Sequence, residues 1–408
     1  MKGQVQFDSL EVNINNQYLP SSECESISMV MIPIDDIYNK DKFTDLINAG
    51  FLIDIDRIEE YEKEISRMKS SELSPSYWKD KRVFITGASG MVGSTMIDIL
   101  LSLGADVYGL IRRHAIVAHP NIENQIESGR LKTIEVDLCD YGRISALLKD
   151  VEPHIISHQA SESFVPTSIQ QPSHVVENNC VSTVNLLEAA AKEDKSLEGL
   201  QVACSSEQYG FVKSLAELPI KEENELRPTS TYAATKVFTE YIAKSYFYTY
   251  RTPTVITRTF NQEGPRRGPN FFTARVANQI RRCLDNKSDT IVIGNPNSVR
   301  DFTHIHDSAK GQLLAIEKCD RGKAYNICSG KGITTGDYAK LALRIFNLED
   351  KVPIHIDKSL FRPYERGEGL IDGFVGSSAK MREKTGWAPQ KSVLDIIRDQ
   401  VEYHEDVR

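Results

Sequence analysis

Short apolar segments alternate with helical stretches from Lys81 onward, and this alternation restricts the fold more than any other feature of the sequence. Helical stretches such as MVGSTMIDILLSLG and NCVSTVNLLEAAAKE separate the apolar segments. The apolar segments are RVFIT (82–86), DVYGLI (106–111), LKTIEV (131–136), PHIISH (153–158), LQVACS (200–205) and PTVITR (253–258). Alternation of this kind predicts an α/β fold with a doubly wound parallel sheet.

The chain changes character on either side of this region. Before it lies a stretch rich in Asp, Glu, Ser and Asn, in which Ile58, Tyr61, Ile65 and Met68 recur at helical spacing. After about Pro265 the predicted strands are shorter, and Gly, Pro and Arg are more frequent. We therefore expect an N-terminal extension (1–80) that packs on the main domain or on a neighbouring subunit, a dinucleotide-binding domain (81–264), and a smaller C-terminal substrate-binding lobe (265–408) from which parts of the chain return to the dinucleotide-binding domain.

The composition argues against several classes of protein. With 40% hydrophobic and 26% charged residues the chain is typical of globular proteins. A net charge of −8 argues against a general nucleic-acid or membrane-surface binder. No apolar run reaches the ~18 residues of a membrane span, and the first residues lack a secretory signal pattern. The seven cysteines form no CxxC pair and the nine histidines show no ligand spacing, so we expect a reduced, cytoplasmic protein without a metal.

The segment VFITGASGMVGS places three glycines directly after an apolar strand and at the start of a helix. Glycines there permit a tight turn and the close approach of a pyrophosphate to the helix N-terminus. An ordinary glycine-rich loop is the alternative, but the strand, the helix and the following strand together favour a Rossmann-type dinucleotide site. The predicted cofactor contacts in this loop are Gly87, Ser89, Gly90, Met91, Val92 and Gly93.

Two arginines end the second predicted strand, in the segment YGLIRRH. An NAD site would place Asp or Glu there for the ribose 2′-hydroxyl, whereas Arg112 and Arg113 suit a 2′-phosphate. Two solvated surface arginines are the alternative. We predict NADP as the cofactor and NAD as the less favoured one.

In STYAATKVFTEYI, Tyr232 and Lys236 are four residues apart on a predicted helix and therefore share a face. A phenol with a pKa near ~10 is a poor base at neutral pH, and an ammonium one turn away favours the phenolate. Such a tyrosine can remove a proton from a sugar hydroxyl while hydride leaves for a nicotinamide. A YxxxK spacing alone is weak evidence. Behind a glycine-rich dinucleotide loop it predicts a catalytic pair.

From about Lys81 to its C-terminus the chain resembles the extended short-chain dehydrogenase/reductases that act on nucleotide sugars. The segments TGASGMVG, VDLCD, NNCVSTVNLLEAA, SSEQYG and YAATK occur in that family's order and spacing. Within it the chain looks most like the GDP-mannose 4,6-dehydratases and the related GDP-4-keto-6-deoxy-mannose reductases. The closer likeness is carried by YGLIRR, RTFNQEGPRRGPNFFTARV, NSVRDFTHIHD, YNICSGK and FRPYE.

The resemblance implies roles for residues at the ends of two strands. Asp137 and Leu138 would flank the adenine of the cofactor. Ser205 would hydrogen-bond the reacting sugar hydroxyl, and Glu207 falls where dehydratases carry their carboxylate. Ser206 stands where some dehydratases have an Asp that serves as acid, and a serine is not an effective general acid. Proton delivery to the leaving group would therefore need Glu207 or a water.

The implied enzyme is a nucleotide-sugar 4,6-dehydratase, a lyase of carbohydrate biosynthesis with a GDP-mannose-like substrate. NADP would oxidise C4, Glu207 would remove the C5 proton, the C6 hydroxyl would leave as water, and the hydride would return to C6. A 4-keto-6-deoxy nucleotide-sugar reductase is the main alternative, ahead of a 4-epimerase or a UDP-glucuronate decarboxylase. A non-catalytic NADP-binding regulator would have no need of Ser205, Tyr232 and Lys236.

Arginines of the predicted second lobe suit a diphosphate, because guanidinium groups bind its oxygens in pairs. The resemblance points to Asn261, Arg300 and Arg362 as ligands of the diphosphate and nucleotide. Arg267 is a further candidate, although it and Arg266 could equally be surface charges. Guanine as the base rests on the family likeness alone. The same likeness makes a homodimer or a higher homo-oligomer the expected assembly.

Two segments depart from the pattern of the mannose dehydratases. The serine-rich stretch that usually follows the arginine pair, and reaches the cofactor of a neighbouring subunit, is here RRHAIVAHPN. A tetrameric contact of that kind is therefore in doubt. In HQASESFVPTS, Glu162 stands where Gln is common. Its carboxylate could change the substrate preference or could face away from the site.

Overall fold

The computed structural model describes residues 31–112, 119–193, 196–362 and 373–406. Its strands are β1 (Ile32–Pro33), β2 (Arg82–Thr86), β3 (Asp106–Ile111), β4 (Leu131–Glu135), β5 (Ile155–His158), β6 (Gly199–Ser205), β7 (Thr254–Thr259), β8 (Asn261–Glu263), β9 (Ile291–Ile293), β10 (Val299–Arg300), β11 (Phe302–His304), β12 (Ala324–Ile327), β13 (Ile333–Thr334), β14 (Ile354–Ile356) and β15 (Gly373–Phe374).

Fifteen α-helices are present among the described residues. They are α1 (Thr44–Asn48), α2 (Ile58–Arg67), α3 (Pro75–Trp78), α4 (Met91–Ser102), α5 (Glu123–Glu127), α6 (Tyr141–Val151), α7 (Val165–Gln170), α8 (Pro172–Val176), α9 (Ser182–Glu193), α10 (Thr231–Tyr250), α11 (Phe272–Leu284), α12 (Ile305–Lys318), α13 (Thr335–Ile345), α14 (Ala379–Thr385) and α15 (Val393–Asp406). A π-helical turn, Glu177–Val181, connects α8 to α9. No helix among the described residues is long and apolar enough to cross a membrane.

A seven-stranded sheet forms the centre of the molecule, in the order β4-β3-β2-β5-β6-β7-β12. Every neighbouring pair in it is parallel. The strand order reverses between β2 and β5, and in sheets of this type ligands bind beside the carboxyl ends of strands at such a switch point. The predicted doubly wound Rossmann-type sheet is confirmed, and all six predicted strands are present in it.

Both faces of this sheet are covered, which explains why its strands are continuous apolar runs. Successive residues of β2 point to opposite sides: Val83 and Ile85 pack with α4 and α12, whereas Phe84 packs with α6 and α9. Trp78 and Trp387 complete the core on the α4 side and are wholly buried. Burial of this extent on two faces fixes the strand ends, where the candidate site residues lie.

Short strands and three helices build a second lobe. β14 joins β9 in parallel, β10 pairs with β13 and β15, and β8 pairs with β11. Helices α11, α13 and α15 pack around a core that includes Ile280, Tyr338 and Ile397. β12 lies in the central sheet, so the chain returns to that sheet after it has entered the second lobe.

The described part of the N-terminal region packs on its own chain. β1 pairs antiparallel with β14 of the second lobe. The periodic segment forms α2, whose Tyr61 and Ile65 are buried in the second lobe's core. Trp78, by contrast, packs beneath the central sheet, and its indole N–H donates to Glu317 of α12 at 3.1 Å. The described N-terminal residues therefore contact both parts of the molecule.

Candidate active site

The loop after β2 has the shape that the glycine motif predicts. Gly87 has a left-handed φ of 67°, and a Cβ there would lie 2.9 Å from the backbone nitrogen of Ala160. A Cβ at Gly93 would overlap the carbonyl of Gly87. Gly90 is the residue before α4, so the unpaired N–H groups of that helix face the cavity described below. Contacts with neighbouring backbone therefore require glycine at positions 87 and 93, and the start of α4 lies open to the cavity, as a dinucleotide loop requires.

Three other predicted cofactor residues follow β3 and β4, the two strands at one end of the central sheet. Arg112 is exposed at the end of β3 and donates to Asn178. Asp137 accepts from the backbone N–H of Cys139 at 2.9 Å, just after β4. The carbonyl of Leu138 accepts from Asn185 at 3.0 Å. Arg113 lies outside the described residues. The carbonyl of Ser89 accepts from Asn121 at 2.9 Å, and this contact connects the glycine loop to the segment before α5.

Tyr232 and Lys236 lie on the first turns of α10, which begins after Ser230 accepts a hydrogen bond from Ala233 at 3.1 Å. Both residues are buried, with 8% and 5% of their surfaces exposed. The Lys236 ammonium donates to the carbonyl of Ala203 on β6 at 2.8 Å and lies 5.8 Å from the centre of the Tyr232 ring. Strand and helix thus hold the two side chains together.

Burial dominates the electrostatics of this pair. It raises the pKa of Tyr232, a hydrogen bond with Ser205 lowers it, and the carboxylate of Glu207 raises it again. Burial also lowers the pKa of Lys236. The net pKa of Tyr232 is raised, whereas the sequence argument expected a lowered value. The reason is that burial deprives the phenolate of more hydration free energy than its hydrogen bond and nearby positive charge supply.

Ser205, Ser206 and Glu207 form the turn at the end of β6. A 3-10 helix, Ser206–Tyr209, begins there, and the Ser205 hydroxyl accepts from the backbone N–H of Glu207 at 3.2 Å. The side chain of Gln208 accepts in return from the backbone N–H of Ser205 at 3.1 Å, which completes a capping box. Ser205 is therefore oriented by its own turn, beside the Tyr232 phenol.

An ion pair joins the predicted base to a predicted diphosphate ligand. Arg362 Nη1 lies 3.2 Å from Glu207 Oε1. The two side chains are 27% and 13% exposed, so both remain accessible to a ligand. Sequence reasoning assigned them to separate tasks and did not predict their contact.

Most of the predicted site residues line one cavity of about 1130 Å³. It extends from the glycine loop past the end of β6 to the second lobe. Among predicted catalytic and substrate residues its lining includes Ser205, Ser206, Glu207, Tyr232, Lys236, Asn261, Arg267, Arg300 and Arg362. Gly87, Gly90, Met91, Val92 and Gly93 line the cofactor end, whereas Ser89, Arg112, Asp137 and Leu138 are not part of the lining.

The arginines that line the cavity have intramolecular contacts of their own. Arg267 pairs with the buried Glu263 at 3.2 Å and lies 3.5 Å from the centre of the Phe271 ring. Arg300, on β10, is buried and donates to the carbonyl of Val299 at 2.8 Å. Several arginines thus line this part of the cavity, and two of them, Arg267 and Arg362, are paired with carboxylates.

Sequence reasoning missed one cation of the cavity and left one anion undecided. Arg275 of α11 lines the cavity, and burial lowers its pKa while Asp357 raises it. In the sequence, Arg275 stands among the apolar residues of FFTARV, and no motif there indicates that it faces a ligand site. Glu162 is not part of the lining, although Ser161 and Ser163 are. Its carboxylate accepts from the backbone N–H of Phe164 at 3.0 Å, so it faces its own turn.

The chain is similar to known proteins over most of its length. The family profile described as GDP-mannose 4,6 dehydratase matches residues 84–400. The chain belongs to this family. It is 25% identical over 359 residues to the GDP-mannose 4,6-dehydratase of Yersinia enterocolitica, a match that covers 79% of this chain and 93% of the relative. The GDP-mannose 4,6 dehydratase of Homo sapiens is 26% identical over 348 residues, with 79% and 90% covered.

Solved structures show the same fold. RMD from Pseudomonas aeruginosa complexed with NADPH aligns with a TM-score of 0.67 at 24% identity, over 80% of this chain and 100% of that one. A dTDP-glucose 4,6-dehydratase from Streptomyces venezuelae with NAD bound aligns with a TM-score of 0.68 at 25% identity, over 80% and 97%. The prediction of an extended short-chain dehydrogenase/reductase enzyme of the nucleotide-sugar dehydratase class is confirmed.

Proposed function

We propose that this protein is an NADP-dependent nucleotide-sugar 4,6-dehydratase that acts on GDP-mannose or a close relative. The observation that carries the proposal is the meeting of Ser205, Glu207, Tyr232 and Lys236 in one cavity, between a glycine loop and several arginines. Family membership supports the same reaction. The roles given below to individual residues are part of the proposal.

In the first step Tyr232 removes the proton of the C4 hydroxyl while Ser205 holds that hydroxyl in place. Bound NADP would accept hydride from C4 and later return it to C6, and its positive nicotinamide would favour the Tyr232 phenolate that burial disfavours. Lys236, held by the Ala203 carbonyl, adds a second positive charge near the phenol. The C4 ketone that results makes the C5 proton acidic.

Glu207 then removes the C5 proton, and the C6 hydroxyl leaves as water. The electron pair of the C5–H bond forms the C5=C6 double bond, so one proton and one hydroxide depart together. Glu207 or a water supplies the proton for the leaving hydroxyl, since the hydroxyl of Ser206 is not an effective acid. Hydride from the bound cofactor would return to C6, and Glu207 or a water would supply the proton to C5, so that the product would form without net use of cofactor.

The arginines of the cavity bind the diphosphate. Arg300 is buried and fixed, whereas Arg267 and Arg362 pair with carboxylates that a diphosphate would replace. Asn261, at the start of β8, lines the same region and can donate through its amide. Arg112, at the end of β3, and the next residue in the sequence, Arg113, are the proposed partners of the 2′-phosphate that distinguishes NADP from NAD, with Asp137 and Leu138 beside the adenine.

We further propose a cytoplasmic homodimer built on α10 and the neighbouring π-helical turn. These elements and α8 pack against one another. They expose the side chains of Val176, Val181, Phe238 and Tyr241, four large apolar or aromatic residues. Large exposed apolar side chains on elements that pack together support an interaction surface here. The three-part division of the chain at residues 80 and 264 stays a prediction.

The purified protein, incubated with a panel of nucleotide sugars, tests the reaction. Product mass and NADPH absorbance are read with and without added NADPH. The proposal expects loss of one water from GDP-mannose without net change of NADPH. Stoichiometric oxidation of NADPH by a 4-keto sugar would refute the dehydratase assignment and support the reductase. Bound NADP without turnover of any sugar would indicate a regulator.

A further inference from the structure

A buried ion cluster lies behind the turn that carries Glu207. It consists of Glu240, Arg258 and Lys244. Arg258 donates to the two carboxylate oxygens of Glu240 at 2.7 and 2.6 Å, and Lys244 donates at 2.6 Å. Glu240 has no exposed surface. Burial alone would raise the pKa of Glu240, but the two cations outweigh it and lower the pKa to about 2.

Gln208 connects this ion cluster to the start of the turn. Its amide nitrogen donates to Glu240 Oε2 at 3.0 Å, and its amide oxygen accepts from the backbone N–H of Ser205 at 3.1 Å. A rotated amide would put its oxygen against the carboxylate and its NH₂ against the N–H of Ser205, and both contacts would be repulsive. Glu240 therefore fixes the orientation of Gln208 and, through it, the backbone of Ser205.

The same cluster holds the other end of the turn. Arg258 Nη1 donates to the hydroxyl of Tyr209 at 2.7 Å, and this hydroxyl donates to Asn326 Oδ1 at 2.7 Å. Glu207 lies between the two points that are held. Because Glu240 follows Tyr232 by eight residues on α10, it shares a helix face with the proposed base.

We propose that Glu240 is a positioning residue, which through Gln208 holds Ser205 and Glu207 at the correct distance from Tyr232. The inference rests on the proposed function in that these three side chains act on one sugar. A helix residue and a turn residue that must meet the same substrate need a rigid connection, since a displacement of about 1 Å can cost roughly 100-fold in rate.

The test removes the negative charge of the Glu240 side chain and keeps its size and shape. For Glu240→Gln we expect kcat to fall roughly 10- to 100-fold while KM for the nucleotide sugar and Kd for NADP stay within about 2-fold. Hydrogen–deuterium exchange of the peptide 200–212 gives a readout that needs no activity. We expect the Ser205 amide to exchange roughly 10-fold faster in the variant, because its acceptor is no longer fixed.

A swap of the two side chains distinguishes positioning from simple loss of stability. Gln208→Glu alone places two carboxylates together and should lose kcat as Glu240→Gln does. The double variant Gln208→Glu/Glu240→Gln restores the hydrogen bond between the two side chains, the bond to the Ser205 N–H and one negative charge. Its new amide NH₂ faces Arg258 Nε, which donates to the same Glu240 oxygen as Gln208 in the wild type. Recovery should therefore be partial, with kcat roughly 5-fold or more above that of either single variant. A merely structural role would not produce this rescue. If Glu240→Gln does not fold, the swap still carries the test.

Asp285→Asn is the matched control, because Arg281 binds Asp285 at the far end of α11 with hydrogen bonds of 3.0 and 2.7 Å. It should leave kcat and the hydrogen exchange of the turn unchanged.

Normal kcat in folded Glu240→Gln, or no recovery in the swap, would overturn the inference. The rates are measured on whichever nucleotide sugar the wild type converts. A wild type that only reduces a keto sugar refutes the dehydratase and leaves this test intact, and a wild type without turnover leaves the exchange readout to decide.

Discussion

The proposed chemical groups and the proposed anion-binding groups of the cavity are built in different ways. Tyr232, Lys236 and Ser205 lie on a helix and at a strand end, and backbone contacts hold Lys236 and Ser205. Arg267 and Arg362 instead pair with carboxylates, Glu263 and Glu207. The side chains of the first set are already held, whereas those of the second would have to exchange a carboxylate for a phosphate under the proposed function. The proposed chemical groups are thus preorganised, and the proposed binding would be an exchange of partners.

Tyr232→Phe should have the largest effect, because it removes the proposed base from the preorganised set and leaves its packing. We expect kcat to fall by roughly 10³-fold or more, within the range of general base catalysis. Bound NADP should show no absorbance at the NADPH wavelength after sugar is added, since the first oxidation is blocked. Reduction of cofactor at the wild-type rate would show that another group removes the C4 proton.

Glu207→Gln tests the residue at which the two sets meet. We expect water loss to fall roughly 10²- to 10³-fold, while partial reduction of bound NADP still occurs because the C4 step does not need this carboxylate. Product mass and cofactor absorbance, recorded together, separate the two steps. Full dehydratase activity in this variant would remove Glu207 from the mechanism and leave it as a partner of Arg362.

The ion cluster of Glu240, Arg258 and Lys244 should make the preorganised region sensitive to acid. The pKa of Glu240 is lowered to about 2, below that of an unfolded glutamate. Its charge therefore stabilises the fold above the unfolded pKa, by about 3 kcal/mol, and this contribution is lost as the pH falls from about 4.5 toward 2. Thermal unfolding of wild type and Glu240→Gln should differ most at pH 7, and the difference should shrink below pH 4.5 and vanish only near pH 2. A difference that is constant with pH would contradict the assignment.

Arg362→Met should show the smallest effect on rate and a larger one on binding. Loss of a charged hydrogen bond to the diphosphate should raise KM roughly 10- to 100-fold and change kcat less. Arg344→Met is the control, since Arg344 pairs with Glu349 on the second lobe. An unchanged KM would mean that Arg362 serves Glu207 and does not bind the substrate.

The sequence predicted the central sheet well because its strands carry a local signal. The segment 82–86 coincides with β2, and 153–158 is shortened only at its start, where β5 begins at Ile155. The glycine loop and the Tyr232–Lys236 spacing were also readable, since each depends on residues a few positions apart.

Contacts between distant residues were not readable from one sequence. Glu207 and Arg362 are 155 positions apart, and Ser205 depends on Glu240 through Gln208 across a helix. The raised pKa of Tyr232 follows from burial, which spacing does not reveal. Arg275 enters the cavity only because α11 turns that face inward.

The fate of the C4 hydrogen tests the proposed dehydration most directly. GDP-mannose labelled with deuterium at C4 is incubated with the holoenzyme, and the product is analysed by mass spectrometry and NMR. Intramolecular return of the hydride predicts a product that is lighter by one water and carries the deuterium at C6, with no net NADPH formed. Deuterium released into NADPH, or a product that has kept its C6 hydroxyl, would contradict the assignment of a 4,6-dehydratase.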